Sequence, residues 1–194
     1  MSYNSNSYSS FRTLSFSWLS GGERGSHSPF PKPIAGAVIS TSTGKVLGKG
    51  RSSYEQDAVQ AAFKDAKISA TPLSEWCVNW PPNEGFRKDI SDSTLYVTME
   101  PSSRRQGQAL PPITQLIQMS GIQRVVIGSP DPIPEFASEG AAALHSAGLD
   151  VIMGIEGEET AGLIEEYAEL ANVSVKIQRK TSKFASIIIF LIFV

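Results

Sequence analysis

The sequence predicts an α/β domain in three layers, a mixed sheet between helices, over residues 29–170. Two observations carry the prediction. The stretch Asp92–Pro134 holds two short runs rich in Val, Ile, Tyr and Thr, Thr94–Thr98 and Arg124–Ile127, which suit buried strands. Between them, after a polar loop, Pro112–Ser120 places Ile113, Leu116 and Ile117 on one face of a helix, and Gly121 stands where a helix end favours a left-handed residue. Strand, loop, helix and strand make a βαβ unit, so these strands should be parallel with a right-handed crossover. Upstream, Ile34–Ser40 and Lys45–Gly48 flank a turn at Thr41–Gly44 and read as an antiparallel hairpin.

The other elements follow in order. Met1–Ser10 is Ser, Asn and Tyr without charge, a composition that favours disorder. Phe11–Ser20 spaces Leu14, Trp18 and Leu19 almost as a helix does, so residues 1–28 are either a leader with a degraded first helix or an organellar transit peptide. Serine is abundant there, the first acidic residue is Glu23, and Arg12 and Arg24 add positive charge. Pro29–Pro33 is stiff and extended. Glu55–Ile68 is expected to be a helix with Val59, Ala62, Phe63 and Ala66 inward. Residues 69–91 form a proline-containing insert with Trp76, Cys77 and Trp80, the aromatics packing it onto the core. Glu135–Gly148 reads as a helix, Leu149–Met153 as a strand, and Glu158–Leu170 as a helix with a solvated acidic face. Residues 171–183 make a basic linker with Lys176, Arg179, Lys180 and Lys183. Phe184–Val194 is almost wholly apolar, too short to cross a bilayer, and prone to aggregate if exposed.

Composition narrows the function classes. The chain has 194 residues and 41% hydrophobic content, ordinary for one globular domain with tails. A formal net charge of −2 without a large basic block argues against a dedicated nucleic-acid surface. The single cysteine, Cys77, allows neither an internal disulfide nor a cysteine-built zinc site, which fits a reducing, intracellular setting.

The segments TLYVTMEP, PP and GIQRVVIGSPDPIP resemble the pyrimidine deaminase domain of riboflavin biosynthesis, a branch of the cytidine deaminase-like superfamily. PKPIAGAVI with GKVLGKGR resembles its opening hairpin, and EGAAALHSAGLDVIMGIEGEE its closing helix and strand. The resemblance implies a three-layer α/β/α fold and hydrolytic deamination at zinc, with an H-x-E motif for one ligand and the proton shuttle and two cysteines for the rest. Carried over position by position, the chemistry is missing. His-Ala-Glu-Val reads Gln56-Asp57-Ala58-Val59, which puts Gln56 at the ligand and Ala58 at the shuttle. Glu-Pro-Cys reads Glu100-Pro101-Ser102, and the last cysteine, after a Pro-Pro pair, matches Ile113. The two substrate-side asparagines match Lys32 and Ile133. His27 and His145 are the remaining histidines, and a site rebuilt from them, Cys77, Asp57 and Glu100 would need several coincidences.

The expectation is therefore a pseudoenzyme: a deaminase-like domain without catalytic residues or cofactor, its zinc lost, serving as scaffold, dimerisation unit or binding module. A residual pocket is expected from Lys32, Asp57, Ser103, Arg104, Arg105 and Asp131, with residues 102–105 at a helix N-terminus suited to a heterocycle or phosphate. The alternative is a working aminopyrimidine deaminase with a non-standard site. In the resembled family a reductase domain commonly follows, so the expected partners are a fused or associated reductase or a second copy of the chain, with neither nucleic acid nor a membrane span. The apolar tail at that boundary suggests a fragment or a misread coding sequence. A plastid location is the expectation if the leader is a transit peptide.

Overall fold

The computed structural model describes residues 33–54, 56–66, 90, 92–104, 112–155, 157–165 and 167–171. In chain order the elements are β1 (Gly36–Thr41), β2 (Val46–Arg51), α1 (Ala58–Asp65), β3 (Ser93–Met99), α2 (Ile113–Met119), β4 (Arg124–Ser129), α3 (Glu139–Ser146), β5 (Asp150–Met153) and α4 (Gly157–Leu163). Helical residues recur at 165 and 167–171. The five strands form one sheet in the order β2-β1-β3-β4-β5. β1 runs antiparallel to both β2 and β3, while β3, β4 and β5 are mutually parallel. The expected mixed sheet, its hairpin and its parallel unit are thus observed.

Alternation of side chains assigns the two faces. Ala37, Ile39, Leu95, Val97, Val125 and Ile127 point into the main core, where they meet α1 through Val59 and Phe63, α2 through Leu116 and Ile117, and α3 through Leu144. Val38, Tyr96 and Val126 form a second cluster with Ile152 on the opposite face. α4 lies on that second face, since a Cβ on Gly128 would strike the Thr160 side chain. Helices therefore cover both faces.

Two glycines let α1 lie directly on β2. A Cβ at Gly50 would run into the backbone of Ala58 and Ala62, and one at Gly48 into Ala62 and Ala66. The sequence predicts Gly48 as the end of a hairpin strand and gives Gly50 no role beyond the resemblance; the reason for both is the close approach of a helix.

Helix ends depart from the expected spans for local reasons. α1 starts at Ala58, not Glu55, because Asp57 caps it: the Asp57 carboxylate accepts the Val59 N–H at 2.8 Å, and the Gln60 side chain accepts the Asp57 N–H at 3.0 Å. α2 ends at Ser120 with Gly121 at φ +83°, as its position predicts. α3 begins at Glu139, later than expected. Turns bonding Phe136 and Ala137 back to the Ile133 carbonyl use up the preceding residues, and Ser138 follows at φ 71°.

Candidate functional site

β3 and β4 end side by side, and their C-terminal ends build the site. The Glu100 N–H donates to the Ser129 carbonyl at 2.9 Å, extending the pairing one residue past β3. The Glu100 side chain then turns into the protein, 2% exposed, and reaches the start of α3. One carboxylate oxygen accepts the N–H groups of Asp131 at 3.0 Å and Ser138 at 2.9 Å; the other accepts that of Ala141 at 2.9 Å. An ionised carboxylate is the natural acceptor for the unpaired amides of a helix's first turn. Gly140 permits the approach, since a Cβ there would strike the Pro101 carbonyl. Glu100 is thus the cap that α3 lacks in its own sequence, and its acceptor oxygens are engaged in that role.

Beyond it lies a small cleft lined by Ser102, Ser103, Arg104, Asp131, Phe136 and Glu139, with Glu100, Pro101 and Gly140 behind them. Its volume is about 10 Å³, room for about a single water. Arg104 closes it. Its Nε and one terminal nitrogen donate to the two Glu139 oxygens, each at 3.2 Å, and its guanidinium carbon sits 3.8 Å from the centre of the Phe136 ring. The Ser103 hydroxyl also donates to Glu139 at 3.3 Å. The Arg104 hydrogen bond, ahead of its charge, holds the Glu139 carboxyl below the usual carboxylate range. Burial pushes the Asp131 carboxyl up, the Glu100 charge adds to this, and the Ile133 N–H and Arg104 oppose it. Burial, then the Asp131 charge, raises the Tyr167 phenol.

The expected site residues fall into three groups. Ser102, Ser103, Arg104 and Asp131 share the cleft, with Glu100 in its wall. Gln56, Asp57 and Ala58 are not among the cleft's lining. They form the entry to α1, where Gln56 bonds to Ser53 through the backbone, Asp57 caps the helix, and Ala58 is buried at 3% exposure. Ile113 is buried in the same apolar core as Ala58, at the head of α2, and the Thr114 N–H there donates to the Ser102 carbonyl at 3.2 Å. Lys32 and Arg105 lie outside the described residues, as do His27, Cys77, most of the insert 69–91 and the tail. Residues 102–104 are not helical themselves, and residues 105–111, where a helix opened by them would run, lie outside the described residues; the next described helix, α2, starts at Ile113. His145 is exposed in the last turn of α3, and Ile133 is buried.

Two residues absent from the sequence reading complete the cleft, Glu139 and Phe136. Sequence offered one signal, an acid in the first turn of a helix. Its partner, 35 positions earlier, is visible only once β3 and β4 are paired.

No protein-family model matches the chain. The Synechocystis riboflavin biosynthesis protein RibD is 41% identical over 137 residues, 71% of this chain and 32% of its own length. The Aquifex aeolicus RibD is 33% identical over 137 residues, 71% of this chain and 33% of its own length. The Zea mays riboflavin biosynthesis protein PYRD, chloroplastic, is 30% identical over 139 residues, 71% of this chain and 30% of its own length. The chain thus spans about a third of the length of the curated relatives it matches. Among solved structures, the Thermotoga maritima diaminohydroxyphosphoribosylaminopyrimidine deaminase/5-amino-6-(5-phosphoribosylamino)uracil reductase superposes with a TM-score of 0.61 at 27% identity, covering 84% of this chain and 41% of that one. The Aspergillus oryzae Rib2 deaminase gives 0.56 at 23% identity, covering 84% of this chain and 97% of that one, a likeness of fold.

These relatives correct one expectation, that of a protein with no cofactor. RibD-type deaminases are zinc-dependent, so zinc is the cofactor their likeness implies. Among the described residues no group of three or more His, Cys, Asp or Glu is placed to hold a metal, which is no evidence of its loss, since His27 and Cys77 lie beyond them. Gln56, Ser102 and Ile113 do not themselves make the Cys and His donor set of such a site.

Proposed function

The chain belongs to the riboflavin-pathway pyrimidine deaminases of the cytidine deaminase-like superfamily, and we propose that its domain keeps the family's architecture as a binding module without the family's turnover. The observation that carries this reading is Ala58. Where the family places the glutamate that moves protons, this chain has a methyl group buried in the main core at the first turn of α1. The neighbouring carboxylate, Asp57, is committed to capping that helix. The other nearby carboxylate of the family's second motif, Glu100, is committed to capping α3. Hydrolytic deamination requires a group that takes a proton from water and delivers it to the leaving amine. Neither carboxylate is free for that work, and Ala58 and Ser102 do not replace it.

The proposal extends to the rest of the protein. The domain spans residues 29–170, and the polar segment 171–183 is a linker. A reductase region fused to or associated with the domain is the proposed partner, in keeping with the two-part name of the Thermotoga maritima protein; self-association is the other route by which a binding module would act. No described helix is long and apolar enough to cross a membrane. A plastid location is proposed from the serine-rich, acid-poor leader and the chloroplastic maize relative.

The test is ammonia release from an aminopyrimidine nucleotide, assayed with the Synechocystis RibD as a positive control and with zinc supplied to both. Turnover by this chain at a rate within about a hundredfold of the control would sink the proposal, since loss of general acid–base catalysis alone costs at least that much.

A further inference from the structure

We infer that the outer edge of β5 is a pairing surface for a second copy of the chain, joined β5 to β5 across a two-fold axis. The inference deepens the reading above by naming the surface for self-association, and it rests on that reading. The backbone carries it. The Asp150 N–H donates to the Gln123 carbonyl at 2.8 Å and the Gly154 N–H to the Ile127 carbonyl at 3.0 Å, so these residues face β4. Successive residues of a strand bond to opposite sides. Ile152 therefore also faces β4, and Val151 and Met153 turn both backbone groups away from the sheet. β5 ends the strand order, and no described strand takes up those groups.

The two edges of the sheet differ. At β2 the Asp65 carboxylate accepts the Lys49 N–H at 3.0 Å, Lys45, Lys49 and Arg51 supply charge, and the pairing with β1 shifts register between Ile39 and Ser40. Such features keep a further strand away. β5 carries none of them. After Asp150 its residues are Val, Ile and Met, each partly buried, with Val151 and Met153 beside the main core and Ile152 beside the second cluster.

The sequence of β5 fits its own copy. In an antiparallel pairing centred on Ile152, Val151 exchanges N–H and C=O bonds with Met153 of the second copy, and Met153 does the same with its Val151. The two Ile152 side chains meet at the close, non-hydrogen-bonded position. Asp150 lies opposite Gly154, about 13 Å along the strands from the other Asp150. Its charge is met within its own chain by Arg124 at 2.7 Å. The register thus sets no like charges opposite each other. Gly154, at φ +85°, ends the strand, so the pairing is short and the association weak.

The test is sedimentation velocity of the full chain together with amide hydrogen exchange, both followed as concentration is raised. A reversible monomer–dimer equilibrium is expected. Exchange at Val151 and Met153 should slow about tenfold once about nine-tenths of the chains are paired. Exchange at Asp150 and Ile152 should change little, since their amides already face β4. Ile152→Lys sets two like charges face to face on the axis and should leave the chain monomeric, with the slowing gone. A chain that stays monomeric throughout overturns the pairing. So does association that leaves Val151 and Met153 unaltered, which would assign it to another surface such as the apolar tail. Protection of both amides that ignores concentration also overturns it, because a segment of the same chain would then hold the edge. If Ile152→Lys proves poorly folded by circular dichroism, the exchange pattern of the parent protein decides alone. Loss of the pairing leaves the ammonia-release result standing, and turnover leaves the pairing standing, so the two readings fail separately.

Discussion

Replacing Glu100 by Gln keeps the side chain's size and removes its charge and one acceptor. The consequence can be worked from the three bonds it makes. If the amide oxygen keeps the Asp131 and Ser138 N–H groups, the new NH₂ faces the Ala141 N–H, donor against donor. One buried amide is then orphaned and two charge-assisted bonds become neutral ones. An unsatisfied buried donor costs about 1–3 kcal/mol, and bonds to a charged group exceed neutral ones by about 1 kcal/mol each. Allowing for relaxation of the α3 start, the expected loss is about 2–4 kcal/mol, with Glu100→Ala somewhat worse because every donor is left open. For a domain of this size that lowers the melting midpoint by about 5–15 °C. Chemical denaturation gives the free energy, and hydrogen exchange at Ser138 and Ala141 reports whether the loss is local to the cap. A second readout is Asp131, whose carboxyl should titrate lower once the Glu100 charge is gone, while burial still holds it up. A Glu100→Gln protein less than about 1 kcal/mol below the parent, with unchanged exchange at both amides, would refute the view that this carboxylate organises α3.

Other expectations test neighbouring features. Gly50→Ala forces a Cβ into the α1 backbone at Ala58 and Ala62 and should cost at least about 3 kcal/mol or prevent folding, read from soluble yield and urea midpoints. Ser138→Gly should raise stability by up to about 1 kcal/mol, because a non-glycine residue is held at φ 71° there; a drop in midpoint would show that the serine contributes more than its backbone strain removes. Asp131→Asn keeps the bond to the Ile133 N–H and removes a charge that burial disfavours. A raised carboxyl stabilises the fold while protonated and loses that contribution as pH rises through the raised value. The variant should therefore be more stable than the parent near pH 7, about equal to it near pH 3, and urea titrations across that range check the crossover. Phe63→Ala, emptying a site 1% exposed beneath β1, should cost about 3–5 kcal/mol.

The sheet was largely legible because its strands are local statements: Leu95 to Val97 and Val125 to Ile127 are short β-branched or apolar runs bounded by turn residues. Gly121 announced the end of α2 through a backbone requirement that one residue satisfies. The cleft was legible on one side only. Ser102, Ser103, Arg104 and Asp131 could be named from motif position, yet their partners could not. Glu139 meets Arg104 across 35 positions, and Glu100 reaches Ala141 across 41, contacts that exist only because β3 and β4 end together. Charge alone was an incomplete guide in the same place: beside the serines, Arg104 also meets a carboxylate from another element, Glu139. The late start of α3 was hidden for a similar reason, since its capping group comes from β3 and not from the residues before the helix.

β3 is the strand where the sheet changes from antiparallel to parallel pairing, with β1 on one side and β4 on the other. Its reading frame is therefore fixed twice, by Leu95 opposite Ile39 and by Leu95 opposite Val125. Removal of one residue within Ser93–Met99 would not be absorbed locally. It would draw Glu100 back along the strand by about 3.3 Å and turn its side chain to the other face of the sheet. The carboxylate would then take the place of Met99, on the main-core face with Leu95 and Val97, and the amides of Ser138 and Ala141 would lose their acceptor. Arg104, four residues further on, would be carried out of line with Glu139. The strand thus acts as a ruler laid across the domain, and the spacing of the cleft is a count of residues from the middle of the sheet.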